Sequence, residues 1–201
     1  CVLPAAALSV QIGVFLICVL HLFRLRRGIY VQHSVDWGDF GIIFKLQVLR
    51  HYRFEENHDW RYESLGPDNW QACLQMNQIW KRKRADKWDP DMEEEFQVVN
   101  QALQHYDKLG MVGGVLWADR EVVAFTMGES LGGDTLAVHF EKAFPEIQGA
   151  YPMINQQFVK HECQQYRYIN REDDAGAEGL RKAKMSYVPD ILLEKYMVVR
   201  K

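Results

Sequence analysis

The sequence predicts a layered α/β fold of the α+β type, in which helices flank a central sheet that is mixed and mostly antiparallel. Apolar residues recur at helical spacing from Trp70 to Trp80 and again from Met92 to Leu109. From Met111 onward the period changes to two, which is typical of half-buried strands. The predicted order is two helices, an antiparallel pair of strands, a further strand, a helix and later strands. This order favours a single sheet with helices packed on it.

Length and composition limit the class of protein. The 201 residues suffice for one domain with a substantial core but are short for two. Because 24 Lys and Arg stand against 27 Asp and Glu, the net charge is −3, there is no global basic field, and we predict no DNA partner. The four cysteines are scattered, without a CxxC pair or zinc spacing. We therefore predict reduced thiols in a cytoplasmic domain with no metal site and no cofactor.

Residues 1–50 form an N-terminal segment that we leave unassigned. Residues 2–23 contain no Asp, Glu, Lys or Arg, and three arginines follow within 24–27. As a helix this run would be about 33 Å long, enough to cross a bilayer, with the arginines on the cytoplasmic side. Membrane association through residues 2–23 is one interpretation. A buried segment, or spurious sequence from an upstream assembly or reading-frame error, explains the same residues.

The first two helices have recognisable start and stop signals. Asp68 is available as the cap of the first helix, and Asp91 with Glu94 has capping-box-like spacing at the start of the second. Gly110 stands where the second helix would end. We therefore predict helices from about 70 to 80 and from 92 to 109, with apolar faces that belong to the core.

The strands are predicted from alternation and turn residues. Segments with strand-like patterns are residues 52–55, 60–63, 111–117, 121–129, 136–141, 166–169 and 191–199. The third and fourth form an antiparallel hairpin with its turn at Ala118-Asp119-Arg120. A helix over residues 146–161 connects the fifth and sixth strands.

A basic run ends the first helix. It comprises Lys81 to Arg84 and Lys87 and is flanked by Trp80 and Trp88. Cations beside aromatic rings could grip a phosphate backbone and stack a base, as in contacts with single-stranded RNA. A solvated helix end, whose cations complement the helix dipole, explains the same residues.

Ionisable residues that could carry chemistry concentrate between Leu136 and Tyr187. Strand alternation would place His139 and Glu141 on one face, about 7 Å apart, where they could share a substrate. A second block, Asn170-Arg171-Glu172-Asp173, ends another strand and precedes glycines and a basic helical turn. A wet strand face and an ordinary loop before a helix are the structural alternatives. Loops at strand ends commonly carry function in α/β proteins, so we treat this region as the candidate site.

An ordered set of residues in this region resembles a known family. The set is His139-Phe140-Glu141-Lys142, Gly149, Tyr151, Ile154-Asn155, Phe158, Tyr168 to Asp173, Gly176, Gly179 to Lys184, Ser186-Tyr187 and Pro189. It resembles the C-terminal domain of phosphatidylglycerol lysyltransferases and their soluble relatives without an assigned substrate, over roughly residues 51–201. The resemblance implies a GNAT-like acyltransferase fold over that range. In the full-length family two such folds occur in tandem, so we expect this chain to hold only the C-terminal half.

The resemblance also implies an activity. Characterised members move an aminoacyl group from a charged tRNA to a lipid hydroxyl, so an aminoacyl or acyl transferase is the leading hypothesis. Its expected partners are aminoacyl-tRNA or another acyl donor, and a lipid head group or a small amine or hydroxyl acceptor. A coenzyme-A-dependent N-acetyltransferase is the alternative, although the turn at 143–150 has one glycine and a proline where such enzymes have a glycine-rich turn. A non-catalytic binding module with the same fold is the third hypothesis.

Candidate roles follow from what acyl transfer requires, namely a deprotonated attacking group, a stabilised oxyanion and a protonated leaving group. We assign Glu141, with His139 beside it, to base or substrate-orienting duty, and Tyr187 to the acid. The candidates for phosphate or lipid head-group contacts are Lys142, Arg181, Lys182 and Lys184. The candidates for orienting an amine or the aminoacyl moiety are Asn155, Asn170, Glu172 and Asp173.

Overall fold

The computed structural model describes residues 29–33, 53–187 and 189–194. The segment 2–23, discussed above as a membrane helix, lies outside these residues. Within the described ranges, no helix combines the length and the apolar character needed to span a bilayer.

The described residues form one sheet with helices packed on it. The helices are α1 (Trp70–Arg82), α2 (Pro90–Gln104), α3 (Ala150–Glu162) and α4 (Glu178–Met185), with a 3-10 turn at Ala85–Lys87. The strands are β1 (Ile29–His33), β2 (Trp60–Ser64), β3 (Val112–Ala118), β4 (Glu121–Ser130), β5 (Thr135–Ala143), β6 (Tyr168–Asn170) and β7 (Ile191–Leu193).

The sheet order is β2-β3-β4-β5-β6-β1-β7. Of the neighbouring pairs, β5 with β6 is parallel and the others are antiparallel. The parallel pair is possible because α3 carries the chain back between the two strands. β1 comes from the segment left unassigned from the sequence and pairs with both β6 and β7. The mixed, mostly antiparallel sheet with flanking helices is the predicted arrangement.

Two clusters of buried side chains hold the layers together. The larger contains Trp80 and Leu103 from α1 and α2 with Phe125 and Phe140 from the sheet. The smaller joins α3 to β5 and β6 and is formed by Leu136, Val138, Phe158, Val159, Cys163 and Ile169. Burial of these apolar surfaces is the main stabilising contribution, and it fixes β5, β6 and α3 relative to one another.

The β3–β4 hairpin forms as predicted. Its turn residues Asp119 and Arg120 have φ angles of 52° and 72°, the left-handed conformation that a type I′ turn requires. Because neither is glycine, this conformation costs free energy. The Asp119 carboxylate offsets part of that cost, since it accepts hydrogen bonds from His58 Nδ1 at 2.7 Å and from the Asp59 backbone N–H at 3.1 Å.

The predicted helix ends needed correction. α2 begins at Pro90, where Asp89 is the cap and accepts a hydrogen bond from the Met92 N–H at 2.7 Å, and it ends at Gln104. The prediction with Asp91 as cap was therefore wrong, because proline favours the first helical position and moves the cap one residue before itself. Asn69, not Asp68, occupies the N-cap position of α1, without a hydrogen bond from its side chain to the first turn of the helix.

Three further boundaries differ from the prediction. α3 begins at Ala150 and not at 146, because Gly149 precedes it with a φ of 91° that breaks the helical backbone. Residues 53–57 are helical, so the strand predicted at 52–55 was wrong there. β7 ends at Leu193, and the remainder of the predicted strand beyond residue 194 lies outside the described residues.

Candidate functional site

The parallel pairing of β5 and β6 brings the two candidate blocks together. Ala137 lies opposite Asn170, so the residues after β6 run beside His139 and Glu141. Two adjacent residues of the loop then reach two residues of β5. Arg171 Nη2 lies 2.9 Å from Glu141 Oε1, and Glu172 Oε1 lies 2.7 Å from His139 Nδ1.

His139 stands at a break in the strand register. Met127 pairs with Phe140 and Gly128 with Val138, so His139 is an extra residue without its own cross-strand partner. Gly128 has no space for a Cβ, because the Ala137 carbonyl oxygen occupies that position. The regular alternation expected over 136–141 is therefore interrupted, and the bulge directs the His139 ring between two carboxylates.

Those carboxylates determine the charge of His139. Its ring Nε2 lies 2.9 Å from Glu129 Oε1 and its Nδ1 contacts Glu172, while only 2% of the side chain is exposed. Burial alone would lower the pKa of His139, but hydrogen bonds to Glu129 and Glu172 outweigh it and raise the pKa to about 9. The imidazole is therefore protonated at neutral pH and forms a buried cation between two anions.

Glu141 belongs to a second buried ion pair. Its Oε1 accepts from Arg171 and its Oε2 accepts from Asn155 Nδ2 at 3.2 Å. Burial tends to lower the pKa of Arg171, but the neighbouring Glu141 and Tyr187 raise it, so the guanidinium stays charged. The Arg171 Cζ atom also lies 4.4 Å from the centre of the Tyr187 ring.

Hydrogen-bonding capacity is left over in this buried cluster. Within the described part of the chain, Arg171 Nε and Nη1 and Asn155 Oδ1 make no hydrogen bond. Arg171 is 8% and Asn155 1% exposed. Buried polar groups are nearly always paired, so unmet donors and an unmet acceptor beside a carboxylate are features of a ligand-binding position.

The loop after β6 is held in an unusual backbone conformation. Glu172 and Ala175 have φ angles of 55° and 46°, which non-glycine residues adopt at a cost. Side chains of the loop stabilise it locally, since Asn170 Oδ1 accepts from the Glu172 N–H at 2.8 Å and Asp173 Oδ1 accepts from the Ala175 N–H at 3.1 Å. Asn170 and Asp173 thus shape the loop with their side chains.

α4 fastens the same loop from the outside. Arg181 Nε donates to Asp174 Oδ2 at 2.6 Å, and Asp174 is fully buried. Lys184 Nζ donates to the backbone oxygen of Asp173 at 2.5 Å and also to that of Arg171. Burial, together with the charge of Arg171, lowers the pKa of Lys184 to about 8. Arg181 and Lys184 therefore position the loop that carries Arg171 and Glu172.

We expect Asp174→Asn to lower the free energy of unfolding by about 1–3 kcal/mol, because the buried carboxylate accepts charge-assisted hydrogen bonds that an amide can only partly replace. Urea unfolding followed by circular dichroism measures the change. Asp107→Asn, at an exposed turn position, is the matched control and should change stability by less than about 0.5 kcal/mol. Equal stability of the two variants would contradict a role for Asp174 in holding the loop.

Two predicted site residues lie elsewhere. Lys142 Nζ contacts Glu95 Oε2 at 2.8 Å and lies 4.2 Å from the Trp80 ring centre, so it faces α1 and α2. Lys182 is 78% exposed and pairs with Glu178 along α4 at 3.2 Å. Sequence alternation predicts the direction of Lys142, since it is adjacent to Glu141 in a strand.

Three residues of the cluster were absent from the predicted site. Arg171 and Asp174 were identified only as members of the acidic run after the sixth strand, and Glu129 only as the end of the fourth strand. No local pattern marks a charged side chain that will be buried, because burial depends on which distant segments cover it. The spacing of Asp174 and Arg181 on either side of a helix start was a usable signal for an ion pair.

Comparisons with solved structures support the fold. A conserved protein of unknown function from Bacteroides thetaiotaomicron is 36% identical, with a TM-score of 0.78 over 84% of this chain and 57% of that chain. A domain described as the C-terminal domain of a lysylphosphatidylglycerol synthetase from Agrobacterium fabrum is 12% identical, with a TM-score of 0.59 over 84% of this chain and 58% of that chain. L-PGS from Bacillus licheniformis is 14% identical, with a TM-score of 0.55 over 84% of this chain and 58% of that chain.

These likenesses confirm the predicted mixed α/β fold, which this chain shares with the solved lysylphosphatidylglycerol synthetase domain. The chain spans rather more than half of the solved chains it matches, 57–58% of their length. Its sequence matches no curated protein at a significant level. The family model described as phosphatidylglycerol lysyltransferase, C-terminal, matches residues 45–199. Since that match covers most of the chain and includes the whole Glu141–Arg171 cluster, this chain belongs to the phosphatidylglycerol lysyltransferase C-terminal family.

Proposed function

We propose that this domain transfers an aminoacyl group from an ester donor, aminoacyl-tRNA, to a hydroxyl group of phosphatidylglycerol or a related acceptor. The observation that carries the proposal is the buried cluster of Glu141, Arg171 and Asn155, which retains unmet hydrogen-bonding groups. The unpaired Nε and Nη1 donors of a buried guanidinium suit the oxygen that becomes negative during acyl transfer. Family membership supports the substrate class.

The proposed reaction uses these groups in sequence. Glu141 accepts the proton of the acceptor hydroxyl, whose oxygen then attacks the ester carbonyl carbon of the donor. The carbonyl oxygen becomes an oxyanion and accepts hydrogen bonds from Arg171. When the carbon–oxygen bond to the donor breaks, the leaving hydroxyl takes a proton from Tyr187, which is regenerated by the proton held on Glu141. Asn155 orients Glu141 through its amide N–H and offers its oxygen to the substrate.

The remaining side chains have positioning roles in this proposal. His139 keeps its proton at neutral pH, because its pKa is about 9, so it orients Glu172 and is a poor general base. Glu172 and Asp173 provide negative charge that suits a cationic aminoacyl group such as lysyl. Arg181 and Lys184 act by holding the loop, and head-group contacts for Lys142 and Lys182 stay a prediction from the sequence.

Coenzyme A is disfavoured as the acyl donor by the turn between β5 and α3. The backbone N–H groups of Phe144, Ile147 and Ala150 donate to carbonyl oxygens of the protein, and Pro145 has no N–H. Fewer backbone donors are therefore left to hold a pyrophosphate than in a glycine-rich turn. We expect acetyl-CoA to raise the melting temperature in a thermal-shift titration no more than adenosine monophosphate does.

The proposed transfer is tested by incubating the purified protein with lysyl-tRNA carrying radiolabelled lysine and with vesicles of phosphatidylglycerol. The lipids are then extracted and separated. We expect a labelled lipid that hydroxylamine cleaves, because the new bond is an ester. Tyr187→Phe should reduce the rate about tenfold or more, as loss of a positioned acid does. Tyr106→Phe, a half-buried tyrosine in the core packing outside the cluster, is the matched control and should stay within about twofold.

Each result discriminates between the candidate functions. Labelled lipid with the wild type and its loss with Tyr187→Phe supports the proposal. If no lipid is labelled but acetyl-CoA transfers acetyl to an amine, the coenzyme-A alternative replaces it. If neither donor reacts, the chain is a binding module with the family fold.

A further inference from the structure

A concave site lies just beyond the C-terminal end of β5 and is lined by none of the residues in the loop after β6. A cavity of about 260 Å³ opens between the end of α1 and the turn that follows β5. The side formed by the end of α1 and the residues after it is lined by Trp80, Lys83, Arg84 and Lys87. The side formed by the turn after β5 is lined by Phe144, Pro145 and Glu146. Three cations of the basic run singled out in the sequence, Lys83, Arg84 and Lys87, therefore face a defined space. Lys81 instead pairs with Glu93, and Arg82 does not line the cavity.

The cations differ in how far they are already neutralised. Lys83 forms an ion pair with Glu146 and lies 4.3 Å from the Phe144 ring centre, so it closes one wall. Arg84 is stacked on Trp80, with its Cζ atom 4.0 Å from the ring centre. Among the described residues, neither Arg84 nor Lys87 has an ion pair with a carboxylate. The Asp86 carboxylate is the remaining acidic group in the lining, so positive charge is in excess.

A buried donor also faces this wall. Trp80 is 7% exposed, and its indole Nε1–H lies near the Tyr151 side chain but makes no hydrogen bond of good geometry within the described residues. An unpaired buried N–H is costly, so such a group commonly receives a partner from a bound ligand or water. The stacked guanidinium of Arg84 is held in place on the same ring, which lowers the entropy lost when it binds an anion.

We propose that this cavity is a binding site for a phosphate ester group. Guanidinium, ammonium and indole N–H donors all require acceptors, and a phosphate offers acceptor oxygens in several directions at once, which a planar carboxylate cannot. The volume lies just below the roughly 300–1,000 Å³ of sites for drug-sized molecules, so it suits a phosphate with the adjoining part of its alcohol. The alcohol can be a nucleoside or a glycerol, and the site chemistry is shared by both.

The proposal is tested by binding and does not need the transfer reaction to occur. Isothermal titration calorimetry at low salt is performed on the whole 201-residue chain with inorganic phosphate, adenosine monophosphate and glycerol 3-phosphate. We expect saturable binding that weakens with salt. The double variant Arg84→Gln/Lys87→Gln should weaken binding about tenfold or more, because two charge-assisted contacts are lost. Trp80→Phe keeps an aromatic ring but removes the N–H together with the five-membered ring, and should weaken binding about threefold to tenfold.

Arg82→Gln is the matched control, since Arg82 is exposed on the same helix and does not line the cavity. It should leave the affinity within about twofold. Circular dichroism verifies that each variant is folded. If adenosine monophosphate binds most tightly, the phosphate belongs to a nucleotide. If glycerol 3-phosphate binds most tightly, it belongs to a lipid head group. If all three bind equally, the site recognises the phosphate alone. Absence of saturable binding by all three, or equal affinities for the double variant and Arg82→Gln, would overturn the proposal.

Discussion

Glu141→Gln should lower the free energy of unfolding by about 3–5 kcal/mol, the largest effect that we expect from a single substitution in this protein. The change removes the negative charge that compensates Arg171, whose side chain is 8% exposed. A buried guanidinium without a counter-charge has lost its hydration and gains nothing in return. Guanidinium chloride unfolding, followed by circular dichroism and tryptophan fluorescence, measures the effect.

A double-mutant cycle measures the coupling energy between Glu141 and Arg171 separately from the effect of lost packing. Arg171→Met replaces the cation with an apolar chain of similar length, so Glu141→Gln/Arg171→Met should be less destabilised than the sum of the single variants by at least about 1 kcal/mol. Glu121→Gln, at an exposed strand position, is the matched control. Additive effects would show that Glu141 and Arg171 are not energetically coupled, and would weaken the proposed site with them.

The second large effect is a loss of stability with rising pH that depends on His139. The pKa of His139 is about 9 in the folded protein and 6.5 in the reference state. Because the folded pKa is the higher one, the folded state binds the proton more tightly, and its contribution to stability is complete below pH 6.5. It is lost as the pH rises through 9, and amounts to about 3 kcal/mol in total.

The window from pH 6.5 to 8 is where this effect is best measured. Lys184 contributes in the opposite direction, since its pKa is lowered to about 8, but its contribution changes mainly above that pH. We therefore expect the free energy of unfolding to fall by about 1.5 kcal/mol between pH 6.5 and 8. The fall should disappear in His139→Gln and persist in His105→Gln, an exposed histidine outside the cluster. A fall of equal size in His139→Gln would show that another group causes it.

Both expected effects come from buried charges, and this is where prediction from the sequence was weakest. The blocks containing His139 and Glu172 were recognised as belonging to one site, and the parallel pairing of β5 and β6 brings them together. Their charge states were not predictable, because a histidine pKa of about 9 requires that two carboxylates from different segments converge on it. Periodicity also did not show that His139 and Glu141 have different partners, Glu172 for the first and Arg171 for the second.

The secondary structure shows the same division between local and distant causes. The turn at Asp119 and Arg120 was predicted from its neighbours, because a hairpin depends on a few adjacent residues. The cap of α2 was misplaced by two residues because Asp89 and Asp91 flank one proline and both fit a cap. The helix at 53–57 was missed because Phe54, which is fully buried, is decided by packing and not by a local pattern.

Local periodicity, turn chemistry and an ordered set of family residues were sufficient to determine the order of the helices and strands from α1 to β6, and the family of this protein, from its sequence alone. The tertiary structure alone decided that Arg171 is buried against Glu141, that His139 lies between Glu129 and Glu172, and that Arg84 and Lys87 line a cavity. The physical reason is that strand register, a bulge and burial are set by contacts between segments far apart in the chain, and short-range patterns do not encode them.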